Sequence, residues 1–161
     1  MTIRQFAEGD REVLCQIAVR VFGPVSIHAA IEGEHGKLND VSWQDRKRED
    51  INADLDAHPE GCFVAEVDGQ IAGFITTAID RETGVGRIPN LGVDAGHQGQ
   101  GVGKALLSHC LDYFESEGLR YTQIETVTAN ERGQRFYPSF GYREVSRKIY
   151  YFMQLADRRD R

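Results

Sequence analysis

The chain has 161 residues, enough for one domain with one sizeable hydrophobic core. A formal net charge of −6, with 40% hydrophobic and 27% charged residues, describes an ordinary globular surface and argues against non-specific nucleic-acid binding, which needs an excess of Lys and Arg. Three widely spaced cysteines, Cys15, Cys62 and Cys110, form no C-x-x-C pair, so neither a disulfide scaffold nor a zinc site is indicated and buried thiols are expected.

The opening MTIRQFAEGD has no apolar leader, and no run approaches the length of a membrane span; a cytoplasmic protein is expected. TIRQFAEGD predicts a short strand and an acidic turn. Val13, Leu14, Ile17, Ala18, Val21 and Phe22 then follow helical spacing, and Gly23-Pro24 stops that helix. From Val25 to Asp40 the pattern dissolves. SWQDRKREDINADLDAH predicts a polar helix with Ser42 as N-cap, closed by Pro59. CFVAEV and QIAGFITTAI flank Asp68-Gly69 and predict a hairpin with a two-residue turn.

RIPNLGV is a further strand interrupted by Pro89, which places an edge or a bulge there. Val102, Leu106, Leu107, Cys110, Leu111 and Phe114 mark the buried face of a helix that ends near Gly118. RYTQIETVT predicts a strand, NERGQRFYPSFGY a short helix stopped by Pro138, and REVSRKIYYFMQL one or two closing strands. The expected organisation is one domain over residues 2–155 and a frayed tail over 156–161.

The most informative stretch is HQGQGVGKALL, with glycines at 99, 101 and 103 between a strand and a helix. Glycines there admit positive φ and close approach of an anion to the unpaired N–H groups of the helix start. A Walker P-loop fails, since Gln98 and Ala105 stand where a glycine and a hydroxyl are required. A dinucleotide G-x-G-x-x-G fails on Lys104 or Leu106. Gln98-Gly99-Gln100-Gly101-Val102-Gly103 reads Q-x-x-G-x-G instead.

That pattern resembles the pyrophosphate loop of the GNAT family of N-acetyltransferases. The neighbouring segments extend the resemblance: LGV at Leu91–Val93 precedes the loop, Asn130, Phe136, Tyr137, Gly141 and Tyr142 match the family's N-x-x-A-x-x-F-Y-x-x-x-G-F segment, and YYFMQL is similar to its final strand. It covers about residues 2–155 and is firmest over 88–142. Gly133 for alanine, Pro138 after the tyrosine and Tyr142 for phenylalanine are departures; Pro138 should shorten the last helix.

The resemblance implies an α/β fold of the α+β type, with a mixed, mostly antiparallel sheet flanked by helices and a bulged, splayed strand at the cofactor site. It implies acetyl-CoA as acyl donor, no metal, and direct transfer to a primary amine of a small molecule or peptide. Leu91, Gly92 and Val93 would pair with the pantetheine arm, and Leu91 N–H would face the thioester oxygen. Gln98, Gly99, Gln100, Gly101, Val102, Gly103 and Lys104 would cradle the pyrophosphate, and Asn130 would contact the cofactor as well as cap its helix. Tyr137 would be the general acid. Glu125, in QIETVTAN, is the candidate base, with a water chain as the competing proton path.

Residues 24–58 would form the acceptor side. Their acidic excess, including Glu32, Asp50 and Asp54, suits either a cationic amine or a plain solvated helix face. Closing strands are also available to pair two chains as a homodimer. Two rivals stay open. One is a non-catalytic acyl-CoA-binding regulatory domain; the other is an acyltransferase with a different acyl donor or acceptor. No H-E-x-x-H and no G-x-S-x-G is present.

Overall fold

The hairpin expected at Asp68-Gly69 forms. In the computed structural model, which describes residues 1–160, both turn residues take positive φ, 51° and 76°. Two positive φ values twist the turn in the sense of the flanking strands, β2 (Phe63–Val67) and β3 (Gln70–Asp80). With β1 (Thr2–Gln5), β4 (Val85–Val93) and β5 (Tyr121–Ile124) they make a five-stranded sheet in the order β1-β2-β3-β4-β5. The first three pairings are antiparallel, and β4 with β5 is parallel.

Helices cover both faces. On one side α1 (Arg11–Phe22) and α3 (Trp43–Ala57) bury Leu14, Ile17, Ala18, Ile51 and Leu55 against Val64 and Phe74. On the other, α4 (Val102–Ser116) buries Val102, Leu106, Leu107, Cys110 and Phe114 against Phe63, Ala65, Ile75 and Ile88. Alternation along β2 sends Phe63 and Ala65 to α4 and Val64 to α1 and α3. Ser42 caps α3 as expected, accepting from the Asp45 N–H at 3.1 Å. All three cysteines are buried, and burial pushes Cys62 up to about 11 and Cys110 up to about 12, far from thiolate chemistry.

The bulge signalled by Pro89 is present. Thr76 pairs with Asn90 and Ala78 with Arg87, so Ile88 and Pro89 together oppose Thr77. The extra residue reverses the alternation of β4. Ile88 faces α4, whereas Asn90, two residues on, is bonded to α3 on the opposite side.

Three differences stand out. A helix α2 (Ile27–His35) occupies part of the stretch where the pattern dissolves. Ser26 caps it, accepting from the His28 N–H at 3.1 Å, and Gly36 ends it at φ +73°. Ile27 and Ile31 are its only large apolar side chains, too few to print a helical period. Next, β5 stops at Ile124, short of the predicted strand, because no β4 residue beyond Ile88 pairs with it. Finally, the closing strands predicted in residues 143–155 do not form. Residues 142–154 have no regular structure, and Val145, Ile149, Tyr150, Tyr151 and Met153 are exposed. β-propensity expresses fit to a pleated, half-buried surface, and this segment packs on none. Leu155–Asp160 makes a short 3₁₀ helix; Arg161, the end of the tail expected to fray, lies outside the described residues.

Candidate active site

The parallel pairing of β4 with β5 begins at Val85 and Tyr121 and ends at Ile88 and Ile124. Beyond it β4 continues through Val93 paired only with β3, so its other edge is open from Pro89 onward. A groove starts at this opening. Leu91, Gly92 and Val93 line it from the strand, and Gln98, Gly99, Gly101, Val102, Gly103 and Lys104 from the glycine loop and the start of α4. Asn130, Arg132, Gly133, Phe136 and Tyr137 line it from the region of α5 (Glu131–Phe136), and Val21, Phe22 and Val25 from the end of α1 and the turn after it.

The loop is built to present backbone donors. Gly101 is the N-cap of α4 at φ +85° and ψ 0°, and it has no side chain to satisfy the first-turn N–H groups of Val102, Gly103 and Lys104. The Ala105 N–H is the first to return to the helix, reaching the Gly101 carbonyl at 2.9 Å. Gln98 anchors the loop to the strand, its Nε2 donating to the Val93 carbonyl at 3.0 Å. Its Oε1 accepts from Arg132 Nη1, which ties the loop to α5. Two cations, Lys104 and Arg132, thus border the helix start. Among the described residues His97 Nδ1 is buried there without a partner, an orphaned polar atom at the rim of the groove. Free amides, two cations and an unsatisfied ring nitrogen fit a polyphosphate with a polar arm.

Asn130 caps α5. Its Oδ1 accepts from the Gly133 N–H at 3.0 Å and its Nδ2 donates to Thr126 Oγ1 at 2.9 Å. It lines the groove as well. Pro138 does cut α5 short, and the chain continues as a 3₁₀ turn over Tyr137–Phe140. Tyr137 nevertheless lines the groove, packed edge-on to Phe136 with ring centroids 5.4 Å apart. Burial pushes its phenol up to about 12, so it holds its proton throughout the neutral range.

Two expected site residues stand apart. Gln100 turns back, donating from Nε2 to the Gly96 carbonyl at 3.0 Å, and does not line the groove. Glu125 follows the last residue of β5 on the strand's exposed side. Its Oε1 accepts from Lys148 Nζ at 2.5 Å and from Gln123 Nε2 at 3.1 Å.

Sequence reasoning missed Arg132, although a cation at the first turn of the helix that leads to the tyrosine was a signal available to it. It also missed a buried polar cluster behind β4. Lys47 Nζ donates to Asn90 Oδ1 at 2.7 Å, Asn90 Nδ2 donates to Asp54 Oδ2 at 2.7 Å, and Thr76 Oγ1 donates to the same oxygen at 2.8 Å. Burial raises the Asp54 carboxyl and lowers the Lys47 ammonium from their ordinary values. Nothing in local sequence pairs residue 47 with residue 90.

Comparisons with known proteins show what the chain is similar to. The family model described as "Acetyltransferase (GNAT) family" matches residues 27–142. The mycothiol acetyltransferase of Streptomyces avermitilis is 30% identical over 133 residues, covering 78% of this chain and 42% of that protein. The [ribosomal protein bS18]-alanine N-acetyltransferase of Escherichia coli is 29% identical over 98 residues, covering 61% of this chain and 65% of that one. The chain therefore spans less than half the length of the mycothiol acetyltransferase it matches. Among solved structures, the PaiA N-acetyltransferase from Thermoplasma acidophilum in complex with coenzyme A superposes with a TM-score of 0.73 at 18% identity, over 91% of this chain and 92% of that one, a likeness of fold.

Proposed function

Because the chain belongs to the GNAT acetyltransferase family, we propose that it transfers the acetyl group of acetyl-CoA directly to a primary amine. The observation that carries this reading is the groove at the β4–β5 opening, with the amino end of α4 at its rim and Tyr137 on its wall. The first-turn amides of α4, with Lys104 and Arg132, receive the pyrophosphate. The open edge of β4 at Leu91–Val93 receives the pantetheine arm, and Leu91 N–H polarises the thioester carbonyl.

The chemistry then needs three proton movements. The acceptor ammonium loses one proton and the free amine attacks the thioester carbon; the C–N bond forms, the C–S bond breaks, sulfur leaves with a proton from Tyr137, and the second proton shed by the new amide nitrogen restores the phenol. A phenol near 12 is a poor acid in water, but a thiolate expelled into the same buried groove loses hydration and becomes more basic in parallel. Glu125 takes the acceptor's proton through water, since the Glu125–Lys148 pair lies outside the groove lining.

That same pair favours a second reading, a domain that binds acyl-CoA without turnover, because Glu125 is half-exposed, bonded to Lys148 and outside the groove lining. Free thiol release from acetyl-CoA with a panel of amines decides between them. Release that falls in Tyr137→Phe and Glu125→Gln supports the enzyme; tight calorimetric binding with no release by any amine supports the binding domain. The unpaired outer edge of β5 and the exposed run Ile149–Met153 support the expected homodimer, which sedimentation equilibrium checks.

A further inference from the structure

We propose that the acceptor end of this groove takes a primary amine carried on an apolar body and discriminates against polycations, and that Lys47 is the residue that sets the discrimination. The proposal rests on the acetyl-transfer reading and names the acceptor class within it.

The acidic excess of residues 24–58 suggests a site for polyamines or aminoglycosides, but four of its carboxylates are committed elsewhere. Glu32 accepts from the Trp43 N–H and from Arg46, Asp50 pairs with His28, and Asp56 pairs with Arg11. Asp54 is buried and holds Thr76 and Asn90. Among the described residues, no Asp or Glu lines the groove. A second ammonium entering it therefore meets no carboxylate in the lining.

What it meets instead is Val21, Phe22 and Val25. The Phe22 ring is the one aromatic group on this wall able to receive a cation, and it is already taken: Lys47 Nζ sits 4.6 Å from the ring centroid. Among the described residues Lys47 makes no direct contact with a carboxylate: its hydrogen bond goes to a neutral amide, Asn90 Oδ1, and Asp50 and Asp54 attract it only from further off. Its buried positive charge thus stands against the Phe22 ring, behind the groove lining and partly offset by those two carboxylates, and opposes a second cation on that ring.

The chemistry sharpens the discrimination. An amine attacks only as its free base, so a monoamine brings no charge to the wall at the moment of reaction. A polyamine retains its other charges throughout. An apolar substituent gains from covering Val21, Phe22 and Val25.

The test compares phenethylamine with spermidine, with acetyl-CoA saturating, for the wild type, Lys47→Gln and Lys47→Met. Gln removes the charge and keeps a donor for Asn90; Met keeps the length of the stem and removes both. The wild type should prefer phenethylamine by about tenfold or more in kcat/KM, and both variants should narrow that ratio about tenfold, chiefly through KM for spermidine. A wild type that prefers spermidine, or a ratio unchanged in both variants, overturns the proposal. If the wild type acetylates neither amine, the acetyl-transfer reading fails for these acceptors, and calorimetric binding of each amine to the coenzyme A-saturated protein decides. Tighter phenethylamine binding, with the gap closing in Lys47→Gln, sustains the proposal; equal binding, tighter spermidine or no amine binding overturns it.

Discussion

Arg132 and Gln98 meet across the groove: the guanidinium on α5 donates to the Gln98 carbonyl oxygen, while the Gln98 amide nitrogen holds the Val93 carbonyl. One side chain thus connects the open strand, the glycine loop and the helix that leads to Tyr137. Arg132→Ala should raise the Kd for acetyl-CoA by about tenfold, as loss of one charge-assisted phosphate contact does, with kcat changed less. Calorimetry at two salt concentrations checks this. Loss of a phosphate contact makes the difference from wild type shrink at high salt, whereas loss of a merely structural tie leaves it constant.

Tyr137→Phe should lower kcat by about 10²-fold and leave acetyl-CoA affinity within about twofold. Burial pushes the phenol up to about 12, so the donor form is present at neutral pH and is lost only as pH rises through that value. Wild-type kcat should therefore show no Tyr137-dependent fall between pH 7 and 10. A basic limb near pH 9 that vanishes in Tyr137→Phe would contradict the burial of this group.

Gly101 and Gly103 should respond oppositely to alanine. Gly101 sits at φ +85°, where a side chain costs roughly 1–2 kcal/mol, so Gly101→Ala should lower the Tm by a few degrees. Gly103 lies inside α4, and an added Cβ would meet Val93 Cγ2 at 3.4 Å and Phe136 Cζ at 3.8 Å, ordinary contact. Gly103→Ala should stabilise the helix by up to about 1 kcal/mol while weakening acetyl-CoA binding, because both neighbours are groove residues. Thermal melts and calorimetry on the pair of variants read both effects.

Asp10 holds the amino-terminal strand. It takes two bonds from Arg4, at 2.7 and 2.9 Å, and the Ala7 N–H at 2.8 Å. The Arg4 guanidinium first, then the Ala7 amide, hold its carboxyl below the usual range against a burial effect that opposes them. A depressed carboxylate contributes stability above its unfolded pKa, near 3.9, and loses it as pH falls through the folded value. Asp10→Asn should cost about 1–2 kcal/mol at pH 7 and progressively less below pH 4. Urea melts across that range test the sign.

Local chemistry explains what could be read in advance. Asp68-Gly69 closes a hairpin because its two positive φ values belong to a two-residue turn. Pro89 marks a bulge because it lacks the N–H that a ladder consumes. The loop of Gln98 to Gly103 faces a groove because a glycine-led helix start leaves amides free. Helix α2 escaped because nine residues with two large apolar side chains carry no period. The closing strands were predicted from β-propensity, and propensity without a packed surface does not form a ladder.

The sequence by itself therefore determined most of the elements, the hairpin turn, the glycine loop that opens α4 and the family they belong to, since each depends on residues within a few positions of one another. Tertiary structure alone decided which side chains meet. The bulge at Pro89 turns Asn90 toward α3, where Lys47 and Asp54 hold it, and the ending of the β4–β5 pairing at Ile124 leaves Glu125 outside the groove and Tyr137 within it. Neither follows from spacing, because a one-residue change of register exchanges the two faces of a strand, and only packing fixes the register.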